Sequence, residues 1–167
     1  GVDVRLLEAR AEPTRHSRAI GVHPPGLRAL AAVGAAEPLI ERGVRVRRGH
    51  AFAGDRRGRI RRLGTLDFGA TLPDPHRFVL TVPQHVTERV LERRLAELAP
   101  DALRRGVRVA GWHDDGAGVT LRLAPDGTDP GADGGAELRA ALVVDASGSG
   151  GGGAARVGVP VAGDRYG

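Results

Sequence analysis

Glu8 closes a short apolar run, Val2–Glu8 (VDVRLLE), and the arginine-rich stretch RAEPTRHSR, Arg10–Arg18, follows it. A dinucleotide-binding α/β domain needs such an acid at the end of its second strand, where one carboxylate accepts hydrogen bonds from both ribose hydroxyls. Arg18 closes that stretch with a guanidinium, whose planar donors stay charged. Gln84 stands at the start of the most regular helical pattern with a carboxamide that both donates and accepts. Each has a plainer alternative: Glu8 as a solvated strand-end acid, Arg18 as a surface arginine tied to Glu12, and Gln84 as a helix-capping residue. Asp145 follows a second apolar run, Leu138–Val144, and opens onto the glycine-rich Ser147–Gly153. That run has no GxxxxGK[ST] spacing, so it reads as a flexible turn rather than a phosphate loop.

The elements that must carry these residues follow from pattern. Val2–Leu7 is nearly continuous in apolar character, as expected of a strand covered on both faces. Gly1 reads as the cap of a preceding helix. Pro24–Pro25 open a helical stretch, Gly26–Arg42, that Gly34 divides into two short helices. Short strands follow at Val44–Ala53, Ile60–Leu66 and Phe78–Val82, with turns at Gly54–Gly58 and Pro73–Pro75. Gln84–Ala99 is the strongest helix: Val86, Val90, Leu91, Leu95 and Leu98 recur at 3–4 spacing, while Glu88, Arg89, Glu92, Arg93 and Arg94 form a wet side. Glu88 and Glu92 are an unfavourable like-charge pair at i,i+4, and Glu88 and Arg89 read as solvent contacts. Val107–His113 and Val119–Leu123 make a hairpin around Asp114–Gly118, and Ala124–Gly135 is a Pro/Gly/Asp-rich loop. Leu138–Ala146 is a second strand of the fully covered kind. This order predicts an α/β dinucleotide fold with an inserted β-rich portion.

Composition narrows the function. All 25 basic residues are arginine, and Lys, Asn, Cys and Met do not occur among the 167. With heavy Ala, Gly and Pro use, this has the look of a GC-rich coding bias, so the net charge of +5 is weak evidence for a nucleic-acid partner. The arginines are dispersed and few aromatic rings are present to stack on bases. The absence of cysteine excludes disulfides, thiolate catalysis and Cys-based zinc sites. The histidines lack metal-ligand spacing, and no nucleophile-elbow motif occurs. No run of about 18 apolar residues spans a membrane, and the chain reads as soluble and cytoplasmic.

Four segments together resemble one family: VDVRLLEAR (Val2–Arg10), SRAIGVHPPGLRAL (Ser17–Leu30), PQHVTERVLERRL (Pro83–Leu95), and ALVVDASG (Ala141–Gly148) with VGVP (Val157–Pro160). The family is that of the FAD-dependent aromatic hydroxylases, of the p-hydroxybenzoate hydroxylase and polyketide-tailoring type. The resemblance implies an incomplete Rossmann-like FAD-binding domain, with residues 1–43 and 83–167 in the FAD-binding part and 44–82 in a β-rich substrate portion. It implies FAD as cofactor, NADPH or NADH as co-substrate, dioxygen, and a small aromatic or polyketide substrate. Glu8 is then the ribose ligand, Arg18 reaches the pyrophosphate and ribityl side, and Gln84 bonds the ribityl chain. Arg10 lies one residue beyond the place where the family sets a basic group near adenine or ribose. DASG departs from the hydroxylases' Gly-Ala-Asp-Gly: Ser147 takes the aspartate's place, and the resemblance leaves Asp145, two residues early, as a cofactor contact. This form resembles the reductase and halogenase branches, which stay open as alternatives beside a non-catalytic remnant. The resemblance also places a further parallel strand, with its glycine turn, between Val2–Leu7 and Ala141–Ala146. The isolated 167 residues are accordingly expected to bind FAD weakly at best.

Overall fold

The computed structural model describes residues 2–13, 20–71, 75–125 and 135–148. Arg18, most of the loop expected at Ala124–Gly135, the turn at Pro73–Pro75 for the most part, and the VGVP segment lie outside the described residues. The fold is mixed α/β, and the chain divides after Gly106 into two compact units.

In the first unit, β1 (Leu6–Glu8) pairs in parallel with β7 (Leu103–Arg105), so that Glu8 lies opposite Arg105. The strand is shorter than its apolar pattern predicts. Val2 and Val4 precede it and stand exposed, with 92% of Val2 open to solvent. Strand β2 (Gly21–Val22), β6 (Val79–Thr81) and β3 (Val44–Val46) form an antiparallel sheet with β6 in the centre. Leu80 sits between Val22 and Arg45 in that ladder. Helices α1 (Pro24–Ala32) and α2 (Ala36–Ile40) cover it. The core is Leu27, Leu39, Leu80 and Val82, fully buried, with Ile40, Phe78 and Val90 joining them.

Two glycines make this packing possible. Gly34 ends α1 at a φ of +75°, the left-handed region where a Cβ is penalised. The division expected at Gly34 therefore occurs there. The Val33 carbonyl, left open by the turn, accepts a 2.6 Å bond from Nε of Arg94 on α4 (Gln84–Leu98). Gly43 is needed for a different reason: a Cβ there would lie 2.6 Å from Cδ1 of Leu80 and 2.9 Å from the Thr81 carbonyl oxygen.

Helix α4 has the predicted bounds to within one residue, but its faces are shared differently. Val90 is buried and Val86 packs on the core, whereas Leu98 is 61% exposed. Several charged residues of the expected wet side turn toward neighbours: Arg94 to α1, and Glu92 to Arg105 of β7. Long charged side chains can cover apolar surface while their heads find partners. The β4 (Arg48–Gly54)–β5 (Ile60–Asp67) hairpin carries a bulge between Ala51 and Phe52. It leads into a short α3 (Phe68–Thr71), where Asp67 accepts the backbone N–H groups of Gly69 and Ala70.

The second unit is an antiparallel meander of β8 (Val107–Asp114), β9 (Val119–Pro125) and β10 (Glu137–Ala140), with Leu121 and Leu123 buried. The hairpin matches expectation. The strand expected over Leu138–Ala146 does not extend past Ala140, and Leu142 and Val144 are about four-fifths exposed (78% and 81%). Their apolar pattern suits a covered strand, but no neighbour among the described residues pairs with them. Arg139 of β10 grips Asp115 at the β8–β9 turn with two nitrogens, at 2.9 and 3.1 Å.

Two stability predictions follow from these contacts. Leu80→Ala should lower unfolding free energy by about 2–5 kcal/mol through the cavity it leaves. Gly43→Ala should cost about 1–3 kcal/mol by overpacking. Both are read by urea denaturation; unchanged midpoints would contradict the packing. The Arg139 hydrogen bond, helped by the Ala117 N–H, lowers the Asp115 pKa from 3.8 to about 2. A depressed carboxyl stabilises the folded state above its unfolded pKa, so this contribution is present above pH 3.8 and fades as pH falls through about 2. Asp115→Asn should flatten the acid limb of a thermal-melting profile over that interval, and an unchanged limb would refute it.

Candidate functional site

The carboxyl end of the β1–β7 pair brings together the best-placed of the predicted residues. Glu8 Oε1 accepts the Arg10 backbone N–H at 2.9 Å and faces Arg10 Nε at 3.5 Å. The Arg10 carbonyl in turn accepts the Gly106 N–H at 3.3 Å, closing the two strand ends against each other. The Glu8 side chain is about one-third exposed (34%), so the strand end holds a fixed but accessible carboxylate. Arg10 is placed by these bonds as the partner of Glu8. Both Arg10 contacts use the Oε1 atom, and Oε2 has no hydrogen-bond partner among the described residues.

The next strand over connects this end to α4. Arg105, opposite Glu8, forms an ion pair with Glu92 in which both side chains are largely covered, 23% and 31% exposed. At the other end of β7, Leu103 shares a cavity wall with Leu95, Ala96 and Ala99 near the close of the helix. Strand and helix therefore run in opposite directions. The helix start lies two turns or about 12 Å along the helix before Glu92. Gln84 stands at that start, half-buried, and its Nε2 donates to Glu88 Oε1 at 2.8 Å. Glu88, read from the sequence as a solvent contact, is half-buried instead. The signal that could have found it is the spacing itself, since residues four apart on a helix are neighbours.

Asp145 belongs to the second unit. Its Oδ1 accepts the Ser147 N–H at 2.9 Å and bonds the Ser147 hydroxyl, so the DASG segment forms an aspartate turn on the exposed side of the chain. Arg18 lies outside the described residues. The groove along α4, about 680 Å³, is lined by Val86, Val90, Leu95 and Leu103 with Arg42, Arg89 and Arg93, and among the described residues Glu8, Arg10, Gln84 and Asp145 do not border it. A second hollow of about 430 Å³ lies on the β4–β5 hairpin against Gly49, His50, Ala51, Gly64, Thr65 and Leu66. His50 Nδ1 is 2.9 Å from Thr65 Oγ1 there. Among the described residues no three His, Asp or Glu side chains are placed to hold a metal ion, and no helix is long and apolar enough to cross a membrane.

Comparison with known proteins agrees with this geometry. Residues 1–166 match the family model described as "FAD binding domain". Over 148 residues the chain is 37% identical to the rifampicin monooxygenase of Streptomyces venezuelae, covering 89% of this chain and 27% of that protein. The anhydrotetracycline hydroxylase structure from Streptomyces rimosus superposes with a TM-score of 0.63 at 33% identity, over 82% of this chain and 25% of that one. Aklavinone-11 hydroxylase, solved with FAD and aklavinone, gives a TM-score of 0.59 at 27% identity, over 83% of this chain and 27% of that one. The chain thus spans about a quarter of the length of these relatives. The family model covers nearly the whole sequence and the relatives agree with it: the chain belongs to the FAD-binding domain family, among the FAD-dependent aromatic hydroxylases.

Proposed function

We propose that the chain is part of an FAD-dependent monooxygenase that hydroxylates an aromatic or polyketide substrate using NADPH or NADH and dioxygen. What supports this reading is the match of residues 1–166 to an FAD-binding domain together with the Glu8 carboxylate at the carboxyl end of a parallel strand pair, where open α/β sheets bind their ligands. The donor set fits the nucleotide. Glu8 takes the adenosine ribose through its Oε2, with Arg10 holding the carboxylate in place. Gln84 takes hydroxyls of the ribityl chain, and Arg18 the pyrophosphate. FAD would supply the redox chemistry that activates dioxygen; this chain's residues bind, orient and neutralise it. Asp145 has no assigned step, because its turn is committed to Ser147.

In this reading residues 1–43 and 83–167 belong to a Rossmann-like FAD-binding layer, and 44–82 to a β-rich substrate layer inserted into it. The exposure of Val2 and Val4 ahead of β1 supports a further strand of the longer protein beside them. The relatives' substrates named above favour a polycyclic phenol, bound under the β-rich layer. The DASG sequence favours a second reading, in which the same FAD layer belongs to a flavin reductase or halogenase. A soluble, cytoplasmic enzyme without a nucleic-acid partner suits either.

Titration of the chain with FAD and with FMN, followed by quenching of flavin fluorescence, tests the assignment. FMN has the ribityl chain but no adenosine. Glu8→Ala should weaken FAD by about tenfold, the worth of a charge-assisted hydrogen bond, and leave FMN unchanged. Gln84→Ala should weaken both. Equal effects of Glu8→Ala on the two flavins, or none, would overturn the ribose role.

A further inference from the structure

Strand β4 presents the stretch Gly49–Gly54 (GHAFAG) along an open edge. It pairs with β5 alone, and no strand among the described residues takes its other side. A two-stranded hairpin is marginal by itself in water, and native edges are commonly guarded by charge or proline. β5 is guarded in this way by Arg61, Arg62 and Asp67, whereas β4 carries no charge from Gly49 to Gly54. Phe52, Ile60, Leu63 and Leu66 of the hairpin are each half exposed or more. The bulge falls on β5, where Leu63 has no partner across the ladder, so β4 itself is uninterrupted.

The order of residues along this edge is complementary to itself. A second copy set antiparallel about a two-fold axis between Ala51 and Phe52 brings Phe52 opposite Ala51, His50 opposite Ala53, and Gly49 opposite Gly54. Each larger side chain then faces a small one. At both ends Arg48 comes opposite Asp55, a cation against an anion. Directly opposed residues share a face of the sheet. Phe52 of the second copy therefore lies over Ala51, beside the hollow of about 430 Å³ that Gly49, Ala51 and Gly64 help to line. A Cβ on Gly64 would meet nothing within 4 Å, so the ring has room. Arg48 and Asp55 have partners within the hairpin, Asp67 at 3.0 Å and Arg59 at 2.7 Å, yet their side chains stay 69% and 40% exposed. Moving the axis onto Phe52 would set Phe52 against itself and Arg48 against Arg56.

We propose that β4 is the interface of a two-fold dimer of this chain, in which two hairpins join into one four-stranded antiparallel sheet with the two β4 strands at its centre. Backbone N–H and C=O groups of the edge supply the bonds, as in other strand additions. The contact is isologous, so it closes at two copies. The two β5 strands then stand at the outer edges, three strand spacings or about 14 Å apart, and their arginines do not oppose one another.

The absence of cysteine makes the register readable. His50→Cys and Ala53→Cys each give the whole chain one thiol, and the register sets residue 50 of one copy opposite residue 53 of the other. Their Cα atoms are then about 4.5–5.5 Å apart, within disulfide reach. An equimolar mixture of the two variants, one carrying a mass tag, should on air oxidation cross-link mainly into the mixed dimer, while either variant alone should stay largely uncross-linked. In sedimentation of the wild-type chain the dimer should grow with concentration. Ala51→Arg should raise its dissociation constant about tenfold or more, because like charges then face each other beside the axis. If that variant fails to fold, the cross-link decides alone. A wild-type chain that stays monomeric up to about 1 mM would overturn the proposal and leave the edge to a strand of the longer protein. A dimer whose mixed disulfide forms no more readily than the same-variant ones would overturn it too, since its copies meet elsewhere or in another register.

Discussion

The ion pair between Arg105 and Glu92 fixes the relation between the strand end that carries Glu8 and the helix that carries Gln84. The β1–β7 ladder is only three residues long on each side, too short to set a helix direction through backbone bonds alone. A guanidinium on the last residue of β7 reaches the middle of α4, while Leu103 and the end of α4 line a common groove. These two points hold strand and helix antiparallel. A pair this well covered gains more from its geometry than a surface pair would, because solvent screens it less.

Arginine does much of the work that other sequences divide among several residue types. Arg94 caps a carbonyl of α1, Arg105 ties β7 to α4, Arg10 holds Glu8, and Arg139 clamps the Asp115 turn with two nitrogens. The planar guanidinium supplies several donors in fixed directions, so one side chain can satisfy a carbonyl and a carboxylate together. Arg94 does so with Val33 and Glu97. A net charge of +5 in this chain therefore reflects internal ties as much as an outward-facing field.

Much of the fold was legible in the residues. The helix from Gln84, the hairpin around Asp114–Gly118, and the break at Gly34 each rest on a local rule: 3.6-residue periodicity, alternation about a turn, and a glycine in the left-handed region. The two apolar runs read less well. Val2–Leu7 and Leu138–Ala146 have the composition of fully covered strands, yet the described structure gives strand only at Leu6–Glu8 and Glu137–Ala140. A strand exists through its ladder partners, and apolar composition cannot supply them. The short strands β2 and β7 escaped notice for the converse reason. Gly21–Val22 and Leu103–Arg105 carry no pattern of their own and are strands only because β6 and β1 lie beside them.

The sequence by itself determined which chemistries are possible: carboxylate, guanidinium and carboxamide groups, and no thiol at all. It also set the extent of α4, since periodicity acts over a few neighbouring residues. Only the tertiary structure decided which charged groups of α4 face inward, that Glu92 answers to Arg105, and that Arg94 answers to the Val33 carbonyl. Those outcomes depend on which strand end arrives beside which helix turn. That is settled by long-range packing around Leu80 and by the Arg105–Glu92 tie, and neither is written in any local stretch of the chain.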